Sequence, residues 1–147
     1  MIQRSSTLFE TTMSSINAKT YESTASTHVA FIGMGVMGYP MAGHLATAGH
    51  AVTVYNRSPA KAEAWIKEFA ATKGPKSALT PREAAKGASI VFCCVGNDDD
   101  LRSVVFGADG MLAGMEPGTV LVDHTTASAD VAREIYTAAK NLGIHFI

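Results

Sequence analysis

From His28 onward the apolar positions fall into two alternating periods. His28–Gly33 (HVAFIG) is a short apolar run closed by glycine, the pattern of a buried parallel strand. Met37, Met41, Leu45 and Ala48 then recur at helical spacing, which predicts a helix with that stripe inward and Gly49 as its stop. Ala51–Tyr55 reads as a second strand. Ser58 followed by Pro59 starts a helix with Ser58 as its cap and Ala62, Ile66 and Phe69 inward. Thr80-Pro81-Arg82-Glu83 has the form of a capping box, opening a short helix that stops at Gly87. Ser89–Val95 and Thr119–Asp123 are further buried strands. Ser128 begins a helix with Val131, Ile135, Ala138 and Leu142 inward and Gly143 at its end, and Ile144–Ile147 starts a last strand. The stretch Lys73–Ala78, where a third strand belongs, has little apolar pattern. Strands alternating with helices at these intervals predict βαβ units, hence an α/β fold of Rossmann type: a doubly wound, mainly parallel sheet in three layers.

Residues 1–27 break the pattern. Twelve of them are Ser or Thr and their apolar residues have no period, so they are expected to form a mostly disordered leader ahead of a dinucleotide-binding domain at 28–147. A transit peptide is the alternative for a leader with Arg4, Lys19 and many hydroxyls, but Glu10 and Glu22 speak against it. The expected compartment is therefore cytoplasmic rather than mitochondrial. Of 147 residues 47% are hydrophobic, and 12 basic against 13 acidic side chains give a net charge of −1. That balance supplies no electrostatic reason for nucleic acid, and no apolar run approaches the length of a membrane span. The adjacent Cys93 and Cys94 alternate across a strand and read as core residues rather than one thiol site.

The chemistry concentrates in the first strand-to-helix loop. Gly33-Met34-Gly35-Val36-Met37-Gly38 is G-x-G-x-x-G. The first glycine permits a tight turn, the second a close approach of backbone to a pyrophosphate, and the third close helix–strand packing. The helix N-terminus behind it presents N–H groups and a partial positive charge to the diphosphate. At the end of the second strand stand Asn56, Arg57 and Ser58, where an NAD-preferring site has a carboxylate. Neutral Asn56 does not repel a 2′-phosphate, Arg57 can clamp one through its planar fork, and Ser58 adds a hydroxyl. These residues favour NADP(H), with NAD(H) the alternative. Asp98-Asp99-Asp100 reads as a helix start or a solvated face rather than a metal site. The five histidines have no ligand spacing, and Trp65 reads as packing.

The run Phe31-Ile32-Gly33-Met34-Gly35-Val36-Met37-Gly38-Tyr39-Pro40-Met41-Ala42 resembles the N-terminal signature of the β-hydroxyacid dehydrogenase family, which includes 3-hydroxyisobutyrate dehydrogenase and 2-hydroxy-3-oxopropionate reductase. The resemblance extends over 28–147. It implies hydride transfer between a nicotinamide and a small 3-hydroxy acid or semialdehyde. It also implies that Val95-Gly96, in place of a family Leu-Pro, and Asp100, in place of a family Asn, flank the cofactor. Asp123-His124-Thr125-Thr126 resembles the family's Asp-x-Ser-Thr, which implies Thr126 near the nicotinamide and Thr125 near the substrate; local loop capping is the competing role for both. The family's catalytic lysine, its Asp-x-Pro-Val-Ser-Gly-Gly loop and its helical, dimer-forming second domain have no counterpart in the 147 residues, and Lys140 reads as solvated. The chain is accordingly expected to be the cofactor-binding half of a homo-oligomeric enzyme, without a catalytic residue and inactive by itself. The alternative is a stand-alone dinucleotide-binding sensor or interaction module.

Overall fold

A computed structural model describes residue 16 and residues 19–147; most of the expected leader lies outside the described residues. Residues 19–27 form neither helix nor strand, and the Thr27 carbonyl accepts a hydrogen bond from Ala51 N–H. The elements that follow are β1 (His28–Ile32), α1 (Gly38–Thr47), β2 (Ala51–Tyr55), α2 (Pro59–Glu68), β3 (Lys76–Ser77) and α3 (Pro81–Ala85). Then come β4 (Ile90–Cys93), α4 (Asp98–Val105), α5 (Met111–Gly114), β5 (Val120–Asp123), α6 (Ala129–Asn141) and β6 (His145–Phe146).

The six strands are all parallel in the order β3-β2-β1-β4-β5-β6. Because strand side chains alternate between faces, β1 feeds two cores at once. Val29 and Phe31 pack with Val52, Val54, Trp65 and Phe69 under α1 and α2. Ala30 and Ile32 pack with Val91, Leu121, Leu101 and Ile135 under α3 to α6. The same alternation separates the thiols: Cys93 is buried in the second core and Cys94 packs at the margin of the first. The chain winds outward in both directions from the β1–β4 boundary, which places the topological switch point there.

Four local expectations need correction. The buried face of α1 is Gly38, Ala42, Gly43 and Ala46, not the Met37 stripe; Met37 is 63% exposed, and Met41 and Leu45 sit at the core margin. Small residues win because α1 lies against the sheet and the Phe69 ring, where an added Cβ on Gly43 would overlap that ring. In α2 Ala62 and, just past its end, Phe69 are buried as expected, but the third inward residue is Trp65, fully buried with Nε1–H donating to the Tyr39 carbonyl at 3.2 Å, while Ile66 is half-buried. Ser58 occupies the N-cap position without a capping hydrogen bond from its side chain. In α6, Ala139 replaces Ala138 on the inner face, and Leu142 is 49% exposed because the helix has ended there.

Other ends form as expected. Thr80 Oγ1 accepts from Glu83 N–H at 3.1 Å, although Glu83 returns its carboxylate to Leu79 N–H rather than to Thr80. Ser128 Oγ accepts from Val131 N–H at 3.2 Å. The weakly patterned third strand is a two-residue edge, Lys76–Ser77, and α5 carries no pattern long enough to read.

Candidate functional site

The loops leaving β1, β2 and β4 at their carboxyl ends enclose a cleft of about 760 Å³. Each loop is shaped by its own sequence. Gly33 turns the chain with φ +100°, and a Cβ there would overlap the Cys94 carbonyl of the neighbouring strand. Gly38 is packed equally tightly, against the Gly33 carbonyl. Gly35 differs from both: an added Cβ would meet nothing within 4 Å. Protein packing therefore explains the first and third glycines and leaves the second unexplained. The N–H groups of Gly35, Val36 and Met37 make no hydrogen bond among the described residues, and α1 begins directly behind them.

The β2 loop is tied to this turn. Asn56 Oδ1 accepts from Met34 N–H at 2.9 Å, and Asn56 Nδ2 donates to the Ser58 carbonyl at 3.0 Å. Asn56 thus has a second task that its neutrality alone does not reveal: it locks the end of β2 to the glycine turn. Arg57, Ser58 and Lys61 line the cleft on this side. Lys61 was not singled out from the sequence, although its place one turn into α2 from Arg57-Ser58 is the signal that finds it.

Val95, Gly96 and Asp100 line the opposite wall, with Leu79, Thr80 and Pro81 at the rim. Asn97 caps α4, its Oδ1 accepting from Asp100 N–H at 2.9 Å. The three aspartates behind it each hold a different partner. Asp98 accepts from Ser128 N–H at 2.8 Å, Asp99 lies 3.5 Å from Arg102, and Asp100 lies 3.3 Å from Arg57. Its contact with Ser128 holds the Asp98 carboxyl below its ordinary value. Arg102 reaches across to α6, where it meets both Glu134 oxygens at 2.8 and 3.0 Å and lowers that carboxyl in turn. Among the described residues no group of His, Cys, Asp or Glu is arranged to hold a metal ion.

Thr125 and Thr126 do not share the large cleft with the glycine turn. Thr125 Oγ1 accepts from Val95 N–H at 3.1 Å and its own N–H donates to Asp123 at 2.9 Å, so the side chain fixes the β4 loop. Thr126 lines an adjoining hollow of about 400 Å³ with Asn97, Asp98 and Ser128. The His124 ring stacks on Phe92, 6.2 Å between centroids. Burial and the charge of Asp123 push the Cys93 thiol well up, so it remains protonated and inert.

An open cleft at the switch point, glycine where nothing in the protein forbids a side chain, free N–H groups at a helix start and cations beside them are what a dinucleotide requires. The comparisons agree. The family model described as the NAD binding domain of 6-phosphogluconate dehydrogenase matches residues 28–147. An uncharacterized oxidoreductase of Shewanella frigidimarina is 60% identical over 119 residues, covering 81% of this chain and 40% of that protein. A probable 3-hydroxyisobutyrate dehydrogenase-like protein of Arabidopsis thaliana, named as mitochondrial, is 41% identical over 79% of this chain and 37% of its own length. The fold matches Mycobacterium tuberculosis 3-hydroxyisobutyrate dehydrogenase with TM-score 0.72 and 29% identity, over 82% of this chain and 39% of that one. The chain thus spans about 40% of the length of the relatives it matches. Among the described residues no helix is long and apolar enough to cross a membrane. By sequence and by fold, the chain belongs to the family of the NAD binding domain of 6-phosphogluconate dehydrogenase, and its relatives are 3-hydroxyisobutyrate dehydrogenase-like.

Proposed function

We propose that this chain is the NADP(H)-binding part of an oxidoreductase that moves hydride between the nicotinamide and a small 3-hydroxy acid or its semialdehyde. The observation that carries the reading is Gly35, where nothing in the protein calls for a missing side chain and the space beside it is open. In the complete site the N–H groups of Gly35, Val36 and Met37 and the start of α1 hold the pyrophosphate. Asn56 keeps the ribose side uncharged, and Arg57, Ser58 and Lys61 meet the 2′-phosphate. Val95, Gly96 and Asp100 form the facing wall. Thr126 adjoins the nicotinamide, and the Thr125 hydroxyl, already anchored to Val95 N–H, offers its proton to the substrate. The bound nicotinamide supplies the hydride acceptor or donor, and the protein supplies position and charge. The substrate class is supported by the names of the Arabidopsis and Mycobacterium relatives. An imine reductase of Myxococcus stipitatus in complex with NADP+, 30% identical with TM-score 0.66, supports the cofactor form. We place the complete enzyme in the cytoplasm as a homo-oligomer. Residues 1–147 alone bind cofactor without turnover, since none of their lysines stands in the family's catalytic motif.

Calorimetric titration of residues 1–147 with NADPH and NADH tests the cofactor assignment. NADPH binds more tightly, and Arg57→Ala weakens it by roughly tenfold or more, the equivalent of about 1.5–3 kcal/mol for a hydrogen bond to a charged group. NADH changes less than about twofold in the same variant, because it has no 2′-phosphate for Arg57 to meet. Equal affinities in the wild-type chain sink the NADP(H) assignment, and hydride transfer above background by this chain sinks its inactivity.

A further inference from the structure

The cleft contains an ion pair that crosses it. Arg57 leaves the end of β2 and Asp100 sits in the first turn of α4, after β4. Because β2 and β4 flank β1 on opposite sides, a contact between their loops must pass in front of β1 and its glycine turn. Arg57 Nη1 and Asp100 Oδ1 are 3.3 Å apart, and both residues line the cleft. The loop between β4 and α4 makes room for this arrangement. A Cβ on Gly96 would come within 2.8 Å of the other carboxylate oxygen of Asp100, so the missing side chain lets the carboxylate lie back over the loop toward Arg57. The Asp100 backbone is held independently of its side chain, with its N–H on Asn97 Oδ1 and its carbonyl accepting from Ser103 Oγ. The carboxylate is therefore free to be exchanged for another anion without disturbing α4.

We propose that Asp100 is a built-in competitor for the 2′-phosphate: it occupies the Arg57 guanidinium in the free protein and must yield it when NADP(H) enters. The inference rests on the NADP(H) reading above and adds a specificity-determining residue to it. A carboxylate offers the same bidentate acceptor geometry to a guanidinium as a phosphate does, with less charge, so phosphate displaces it. The pair is exposed on the arginine side, 85% against 32% for the aspartate, so it is weak enough to open. It also masks the carboxylate, which would otherwise repel the pyrophosphate from the opposite wall. NAD(H) has no group to draw Arg57 away from the carboxylate, so the exposed pair swings aside intact when it enters. Asp100 thus lowers affinity for the phosphorylated cofactor selectively.

The test is calorimetric titration of wild type, Asp100→Asn, Arg57→Ala and the double variant with NADP+, NAD+ and adenosine 2′,5′-bisphosphate. Asparagine keeps the shape and removes the charge. Asp100→Asn is expected to tighten NADP+ and the bisphosphate by about three- to tenfold, from the loss of a half-exposed competing pair and its charge. NAD+ is expected to change less than about twofold, and most of the NADP+ gain to vanish when Arg57 is already alanine. Weaker or unchanged NADP+ binding in Asp100→Asn overturns the inference while leaving the NADP(H) reading intact, provided Arg57→Ala still weakens NADP+. A gain that persists in full without Arg57 also overturns it, since the aspartate then acts on the cofactor directly. If Arg57→Ala leaves NADP+ affinity unchanged, the reading and the inference fall together.

Discussion

At the scale of single residues the glycine turn separates folding from function. Gly33 combines a positive φ with a neighbouring carbonyl where its Cβ would lie, whereas Gly35 has neither constraint. Gly33→Ala is expected to destabilise the protein by about 3 kcal/mol or more, from left-handed backbone strain and forced displacement of the β4 strand end. Gly35→Val is expected to stay within about 1 kcal/mol of wild type, yet to abolish detectable NADPH binding by filling the space the pyrophosphate needs. Denaturant melts and NADPH titrations of the two variants measure both quantities. A stable Gly33→Ala, or a Gly35→Val that still binds tightly, contradicts the division. The glycine spacing and Asn56-Arg57-Ser58 are legible in the sequence because they are local. The Arg57–Asp100 pair is not, because its members are 43 residues apart and meet only through the strand order.

At the scale of elements, strands and caps are legible and helix faces less so. Apolar runs such as His28–Ile32 name their strands because both faces of a parallel strand are buried. The buried side of α1 is misread from its large residues because the tight approach to the sheet selects small ones, Ala42 and Ala46, and leaves the methionines to the rim. The clasp between α4 and α6 is invisible in either helix alone. Asp98 bonds to Ser128, and Arg102 forks onto Glu134. Both carboxyls are held below their ordinary values by these hydrogen bonds, so their contribution to stability is present above the unfolded-state carboxylate range. It is lost as pH falls through the lowered folded values. The expected outcome is that wild type loses more stability than Asp98→Asn as pH falls from the ordinary carboxylate range through the lowered folded values, so their urea midpoints converge over that interval. Parallel pH profiles remove the clasp from the account. Since Ser128 closes the loop that carries Thr125 and Thr126, the same contact positions that loop.

At the scale of the whole molecule, the alternation of strands and helices was enough to name a doubly wound sheet, but not to write its order. Lys76–Ser77 is an edge of two residues held by Val54 and Thr53, and its polar sequence carries no strand signal of its own. Its place is decided by β2, against which it pairs. The cleft is assembled from the ends of β1, β2 and β4, the middle of that order, so it exists only when the central sheet is intact. A ligand held there binds the folded chain and not the unfolded one, and it must raise the stability of the entire domain by mass action. At one hundred times its dissociation constant NADPH is expected to add about 2.7 kcal/mol. For a domain of this size that is a rise in Tm of roughly 10 °C. NADH at the same concentration is expected to give a smaller shift, and Arg57→Ala to bring the NADPH shift down to that of NADH. A thermal melt followed by far-UV circular dichroism reads all of these. Equal shifts for the two cofactors in wild type would place the binding energy in the pyrophosphate cradle alone. No shift for either at millimolar concentration would mean that the cleft between β2 and β4 does not hold a dinucleotide at all.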